Sequence, residues 1–179
     1  MFKIGDKVVY PMHGAGTIVA IESREMLDDE KDYYIIKMPV GDMKLMVPTD
    51  KASDIGVREI SSKNVSDEVF EILEKPKSYD IHDVNWNKRY NMNVEKIKTG
   101  DILEVAEVVR DLSHRHIEKG LSIGEKKMLT TAKNILISEM VLSEGISHDI
   151  LDDKIEKLVN QSYKLESDDS NSEGNTINL

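Results

Sequence analysis

The chain has 179 residues, no cysteine and a formal net charge of −10. That length holds one domain or two small ones, and the composition excludes a disulfide frame, a thiolate metal site and a cysteine nucleophile. No apolar run approaches the roughly 20 residues of a membrane-spanning helix, and the opening Met1-Phe2-Lys3-Ile4-Gly5-Asp6 lacks the apolar stretch of a secretory signal, so a reducing, cytoplasmic setting is expected.

The first 60 residues read as short strands separated by turns. Lys7-Val8-Val9-Tyr10 ends at Pro11, and His13-Gly14-Ala15-Gly16 turns into Thr17-Ile18-Val19-Ala20-Ile21. An acidic loop, Asp28-Asp29-Glu30, precedes Tyr33-Tyr34-Ile35-Ile36. Gly41-Asp42 turns into Met43-Lys44-Leu45-Met46-Val47, which Pro48 stops. β-Branched and aromatic residues at this spacing predict a small antiparallel sheet or barrel. Val57-Arg58-Glu59-Ile60 either closes it or begins a linker.

The period then becomes helical. Ser66 to Leu73 predicts a short helix ending before Pro76, and residues 77–82 read as a linker. Asp83 is positioned to cap a helix with Trp86, Tyr90, Val94 and Ile97 on one apolar stripe, ended by Gly100. Asp101 and Glu104 open the next, with Leu103, Ala106, Val109 and Leu112 at helical spacing up to Gly120. Ser122 and Glu125 form a Ser-x-x-Glu capping box ahead of Met128, Leu129, Ala132, Ile135, Leu136 and Met140. Gly145 ends that helix, and Ser147 can cap a last one with Leu151, Ile155, Leu158 and Val159 inward. Beyond Tyr163 the chain has little to bury, and a disordered acidic tail is expected. The predicted class is α+β: a β module over 1–60, an all-α module over 61–162 and a tail over 163–179.

Charge is unevenly distributed. Residues 1–80 hold 11 basic and 16 acidic residues, 86–133 hold 10 and 7, and Glu139 onward holds 3 and 10. Surface charge acts over a Debye length of about 8 Å at physiological salt, so a DNA-facing surface is permitted only in the middle third.

Catalytic patterns are missing. His13-Gly14-Ala15-Gly16 leads into a strand, where it cannot seat a phosphate on a helix N-terminus, and reads better as a turn. His114 and His116, two apart on a helix, point to nearly opposite faces, unlike a helical zinc pair four apart. No set of residues fills nucleophile, base and stabiliser together, so no catalytic residue, metal, cofactor or small-molecule substrate is expected.

Trp86, the lone tryptophan, precedes Asn87-Lys88-Arg89-Tyr90. Spacing alone favours a buried anchor, because tryptophan is usually well buried. The other reading is a wedge at a helix N-terminus, with cations gripping phosphates while the ring meets a distorted base step. Lys126 and Lys127 open a helix where cations oppose the dipole; a phosphate partner and ordinary surface lysines explain them equally. Met43 to Val47 is either core or an edge strand awaiting a partner's strand. Arg24 is either a partner contact or half of a local salt bridge.

Together these stretches resemble the CarD family of bacterial transcription regulators. The resemblance rests on Phe2-Lys3-Ile4-Gly5-Asp6-Lys7-Val8-Val9-Tyr10-Pro11-Met12-His13-Gly14, Val47-Pro48 and Gly56-Val57-Arg58. In the helical half it rests on Trp86-Asn87-Lys88-Arg89-Tyr90, Ala106 to Leu112 and Leu121 to Leu129. It runs from about residue 2 to 160. It implies a Tudor-like β barrel that binds the β subunit of RNA polymerase. It also implies a helical domain that meets promoter DNA at the upstream edge of the melted region, where a tryptophan enters the minor groove and hinders bubble collapse. By position Trp86 becomes the wedge, against the preference from spacing, with Arg89 and Lys126 as phosphate or groove contacts, and the neighbouring cations Lys88 and Lys127 join them as DNA-binding residues. Arg24, Lys44, Met46 and Val47 become the polymerase contacts. Met46 stands where the family pattern has a second basic contact, with Lys44 on the same strand face as a substitute, and Asn91 replaces a frequent basic residue after Tyr90. The implied protein is a cytoplasmic, nucleoid-associated regulator that holds an open promoter complex. The competing reading is an adaptor bridging polymerase to another protein without touching DNA.

Overall fold

A computed structural model describes the chain apart from residues 27–28, 40–42, 63, 78–83 and 174–179. Strands β1 (Lys7–Tyr10), β2 (Gly14–Met26), β3 (Asp29–Lys37), β4 (Lys44–Pro48) and β5 (Arg58–Glu59) form one antiparallel sheet in the order β4-β3-β2-β1-β5. The segment left open as strand or linker therefore closes the sheet beside β1. β2 and β3 run longer than the apolar pattern suggests, because Asp29 and Glu30 pair as strand instead of looping. A bulge between Ile18 and Ala20 shifts the register of β2, which turns the strand and increases its twist. The Gly41-Asp42 turn lies outside the described residues.

Inward side chains of the sheet, including Val8, Ile18, Tyr34, Ile36 and Val47, make one core, closed from below by Ala52 and Val57. Ala52 belongs to α1 (Ala52–Ile55), a single turn that the sequence pattern did not reveal.

Five further helices follow: α2 (Asn64–Leu73), α3 (Trp86–Thr99), α4 (Ile102–Lys119), α5 (Ile123–Glu144) and α6 (His148–Glu173). α4 is the central rod. Val105, Ala106, Val108, Val109 and Leu112 are all fully buried, so α4 is covered on more than one side, and it packs against α2, α3, α5 and α6. Gly100, Gly120 and Gly145 end their helices as expected. Ser122 and Glu125 form the full capping box.

α6 continues past Tyr163, where the folded part was expected to end. Ser162 is buried under His114, at 2.8 Å from its Nε2, and Tyr163 sets its ring edge-on to the same imidazole. With that turn anchored, each added residue gains a backbone hydrogen bond without a new nucleation cost. Residues 174–179 lie outside the described set.

The two modules meet through polar contacts as well as packing. Arg58 of β5 donates from Nη1 and Nη2 to the two Glu139 oxygens of α5 at 2.8 and 3.0 Å, and from Nε to the Gly100 carbonyl at 3.1 Å. The Ser61 amide donates to the same carboxylate at 2.8 Å. The Ala15 amide donates to Ser138 Oγ at 2.8 Å. A methyl on Gly14 would stand 2.5 Å from that oxygen, and Gly14 has a φ of +96°, so the turn into β2 needs glycine for both space and backbone conformation.

Candidate nucleic-acid interface

α3 begins at Trp86 because Asn85, in extended conformation, accepts the Lys88 amide at 2.9 Å. Asp83, the cap anticipated from sequence, lies outside the described residues. The buried stripe of α3 is Arg89, Asn93 and Ile97. Of the apolar stripe expected through Trp86, Tyr90, Val94 and Ile97, Ile97 is buried and Tyr90 and Val94 pack half-buried against the core, while Trp86 at the start of the helix is turned out. Trp86 is 46% exposed.

Arg89 takes the buried position in the first turn of α3. Its side chain is only 3% exposed, and Nε and Nη2 donate to Glu125 Oε1 at 2.9 and 2.8 Å. Nη1 reaches the Val84 carbonyl at 3.2 Å. Glu125 completes its shell with the Ser122 amide and hydroxyl on Oε2, at 3.1 and 2.9 Å. Burial pushes the Glu125 carboxyl up, but the Arg89 hydrogen bonds, the Ser122 contacts and the Arg89 charge together outweigh it and hold the group below its usual range. The expectation that Arg89 grips DNA is thereby corrected. A guanidinium 3% exposed and turned inward onto Glu125 and the Val84 carbonyl is not presented to a phosphate at the surface.

The indole sits on this foundation. Its ring stacks on Tyr90 with centroids 5.1 Å apart and planes at 25°, and Nε1 donates to Ser122 Oγ at 3.2 Å. Ser122 is the N-cap of α5 and Asn85 that of α3. Two helix N-termini therefore converge on one aromatic face, each with partial positive charge. Lys88 in the first turn of α3 and Lys126 and Lys127 in the opening turns of α5 are exposed. Among the described residues none of the three forms an ion pair. The arrangement offers an apolar plane inside a cationic rim, with no acidic side chain in the first turn of α3.

A second surface lies on the outward face of β2, β3 and β4. The register sets Arg24 opposite Lys31, Met46 opposite Ile35 and Lys44 opposite Lys37. Alternation places Arg24, Lys44 and Met46 on the face opposite to Val47, where they are exposed although Ile35 beside Met46 is itself buried. Arg24 also pairs with Glu22 at 2.8 Å, with both side chains about half exposed, so the local salt bridge foreseen as one option is present. Met46 is 43% exposed. Val47 is corrected: its side chain is 1% exposed in the sheet core, because it alternates with Met46. β4 is also an edge strand. Thr49 donates to Asp32 and Met38 to Met43, so the bonded pairs of the ladder fall on Leu45 and Val47. The amides and carbonyls of Lys44 and Met46 then point to the open edge.

His114 is buried and His116 exposed, on different faces as their spacing implies. Among the described residues no group of three or more His, Cys, Asp or Glu side chains is placed to hold a metal ion, and no helix is long and apolar enough to cross a membrane.

Residues 2–61 match the CarD-like/TRCF RID domain, and residues 68–156 match the C-terminal domain of CarD. A relative from Bacillus subtilis (strain 168), the candidate transcription factor YdeB, is 44% identical over 147 residues, covering 82% of this chain and 95% of its own. The chain belongs to the CarD family. CarD-family proteins are transcription regulators that act through RNA polymerase, and the two matched domains coincide with the sheet and the helical bundle. Ser122, Glu125 and Tyr90, which mount the family tryptophan here, did not stand out as site residues in the sequence. The Ser-x-x-Glu box was legible only as a helix start.

Proposed function

We propose that this CarD-family protein binds the β subunit of RNA polymerase through the outward face and open edge of β2–β4. From there it stabilises the promoter open complex by contacting DNA at the upstream edge of the bubble. Trp86 acts as the minor-groove wedge, and Lys88, Lys126 and Lys127 meet flanking phosphates. Arg89 serves as a positioning residue. The observation that carries this reading is the half-exposed indole, fixed by Tyr90 and Ser122 where two helix N-termini meet. An aromatic ring held in one orientation meets an opened base step with little further loss of conformational freedom. The cationic rim supplies sequence-independent grip.

The net charge of −10 makes binding to free DNA weak, so polymerase must deliver the protein to the promoter, where the DNA contact becomes intramolecular in effect. Such a protein works in the cytoplasm, on the nucleoid. Trp86→Ala is expected to leave polymerase binding intact and shorten open-complex lifetime at least about fivefold, since aromatic stacking on bases contributes about 1–3 kcal/mol. An unchanged lifetime rejects the wedge. Arg24→Glu is expected to weaken co-purification with polymerase. A promoter footprint extended to the upstream fork distinguishes DNA contact from an adaptor role.

A further inference from the structure

Ile123 is 77% exposed, more than any other large apolar side chain among the described residues except the N-terminal Met1. It is the first residue of α5. On one side Ser122 accepts the Trp86 indole N–H, and on the other Gly124 lies against Tyr90, whose Cε2 would stand 3.5 Å from a methyl placed there. The helical turn that seats the aromatic pair therefore also carries a branched aliphatic side chain into solvent.

Single exposed apolar residues are ordinary on protein surfaces. Ile123 differs in its company and in having no role in the fold. The capping box is complete through Ser122 and Glu125, and a β-branched residue is a poor choice for helix propensity. Around it stand a half-exposed tryptophan and three lysines without ion pairs among the described residues. A cationic rim fits a phosphate backbone better than a protein partner, because lysine is depleted at protein–protein interface cores.

We infer that Ile123 is a second apolar contact to the minor groove, pressing on the base step beside the one Trp86 meets. This inference rests on the wedge reading above. Aliphatic side chains, isoleucine among them, are inserted between base steps by proteins that kink duplexes from the minor groove. Trp86 and Ile123 would then act as a pair, the flat ring stacking and the branched chain filling the groove floor next to it. The lysines on either side hold the two backbone strands.

The test uses the full-length protein with its matched polymerase on a promoter. Ile123→Ser should not affect folding, because the side chain is solvent-exposed, and an unchanged thermal midpoint verifies that. It is expected to shorten open-complex lifetime about tenfold, the scale set by burying most of a branched aliphatic side chain, with polymerase binding unaltered. Because the chain has no cysteine, Ile123→Cys provides a unique attachment point for a photo-crosslinker, which should label promoter DNA at the upstream edge of the bubble. If Trp86→Ala shortens the lifetime while Ile123→Ser does not, or if the crosslinker labels only polymerase, Ile123 is not a DNA contact and the tryptophan wedge stands. If neither substitution shortens the lifetime, the wedge reading and this inference both fail.

Discussion

Arg89 and Glu125 are each 3% exposed or less, and they hold the first turns of α3 and α5 together under the indole. Truncating one member of a buried pair leaves the other charge without its partner, a loss of about 3–5 kcal/mol. Arg89→Met is therefore expected to destabilise the helical domain strongly. Arg89→Met combined with Glu125→Leu should recover part of that loss in urea unfolding. Because the Arg89 and Ser122 hydrogen bonds hold the Glu125 carboxyl below the ordinary glutamate range, its contribution is fully present above that range and is lost as pH falls through the lower folded-state value. Glu125→Gln should accordingly flatten the decline in stability below about pH 4.5, read as urea midpoints between neutral and acid pH. At this scale the sequence was misleading in one respect. Helical spacing put Trp86 on the inner stripe and left Arg89 outside, whereas pairing with Glu125, 36 residues away in the chain, draws Arg89 inward.

β4 is an element whose role depends on where it ends up in the sheet. Its alternation of Lys44 and Met46 outward with Val47 inward was readable as a strand, but whether a neighbour would cover its far side was not. In the sheet order it is an edge, and the Met46 amide points away from β3. Proline is tolerated at edge positions whose N–H the ladder does not use. Met46→Pro is therefore expected to leave the thermal midpoint within a few degrees of native. It should lower affinity for polymerase about tenfold if a partner strand docks there, as a titration with the isolated polymerase would measure. Retained affinity would restrict the contact to side chains such as Arg24 and Lys44. The one-turn helix α1 escaped notice because four residues are too few to express a helical period.

For the molecule as a whole, the proposed function needs two surfaces at a fixed separation, and the joint between the modules is what would set it. Glu139 is 1% exposed and is engaged by Arg58 and the Ser61 amide, while Arg58 also binds the Gly100 carbonyl at the end of α3. Through that carbonyl the sheet is tied directly to the helix that begins with Trp86. Arg58→Met is expected to cost about 2 kcal/mol, less than a fully buried pair because Arg58 is one-third exposed. It should also split thermal unfolding into two transitions. If the proposed wedge and polymerase contact are right, polymerase binding should survive while open-complex lifetime falls, since Trp86 would no longer be held in register with the outward face of β2–β4. A single transition with a native lifetime would remove the joint from the mechanism.

What the sequence determined by itself was local: strand alternation, helix starts at Ser122 and Asp101, stops at Gly100, Gly120 and Gly145, and a set of motifs ordered densely enough to identify the CarD resemblance. These follow from short-range chemistry, in which a cap or a glycine acts on its own turn of backbone. Tertiary structure alone decided that Trp86 at the start of α3 is turned out, that Arg89 lies beneath the site instead of at its surface, that Val47 is core, and that α6 extends beyond Tyr163. Each of these depends on a partner far away in the chain, Glu125, the sheet core or His114. The stability of a buried ion pair or an extended helix comes from that partner and leaves no periodic trace in the residues around it.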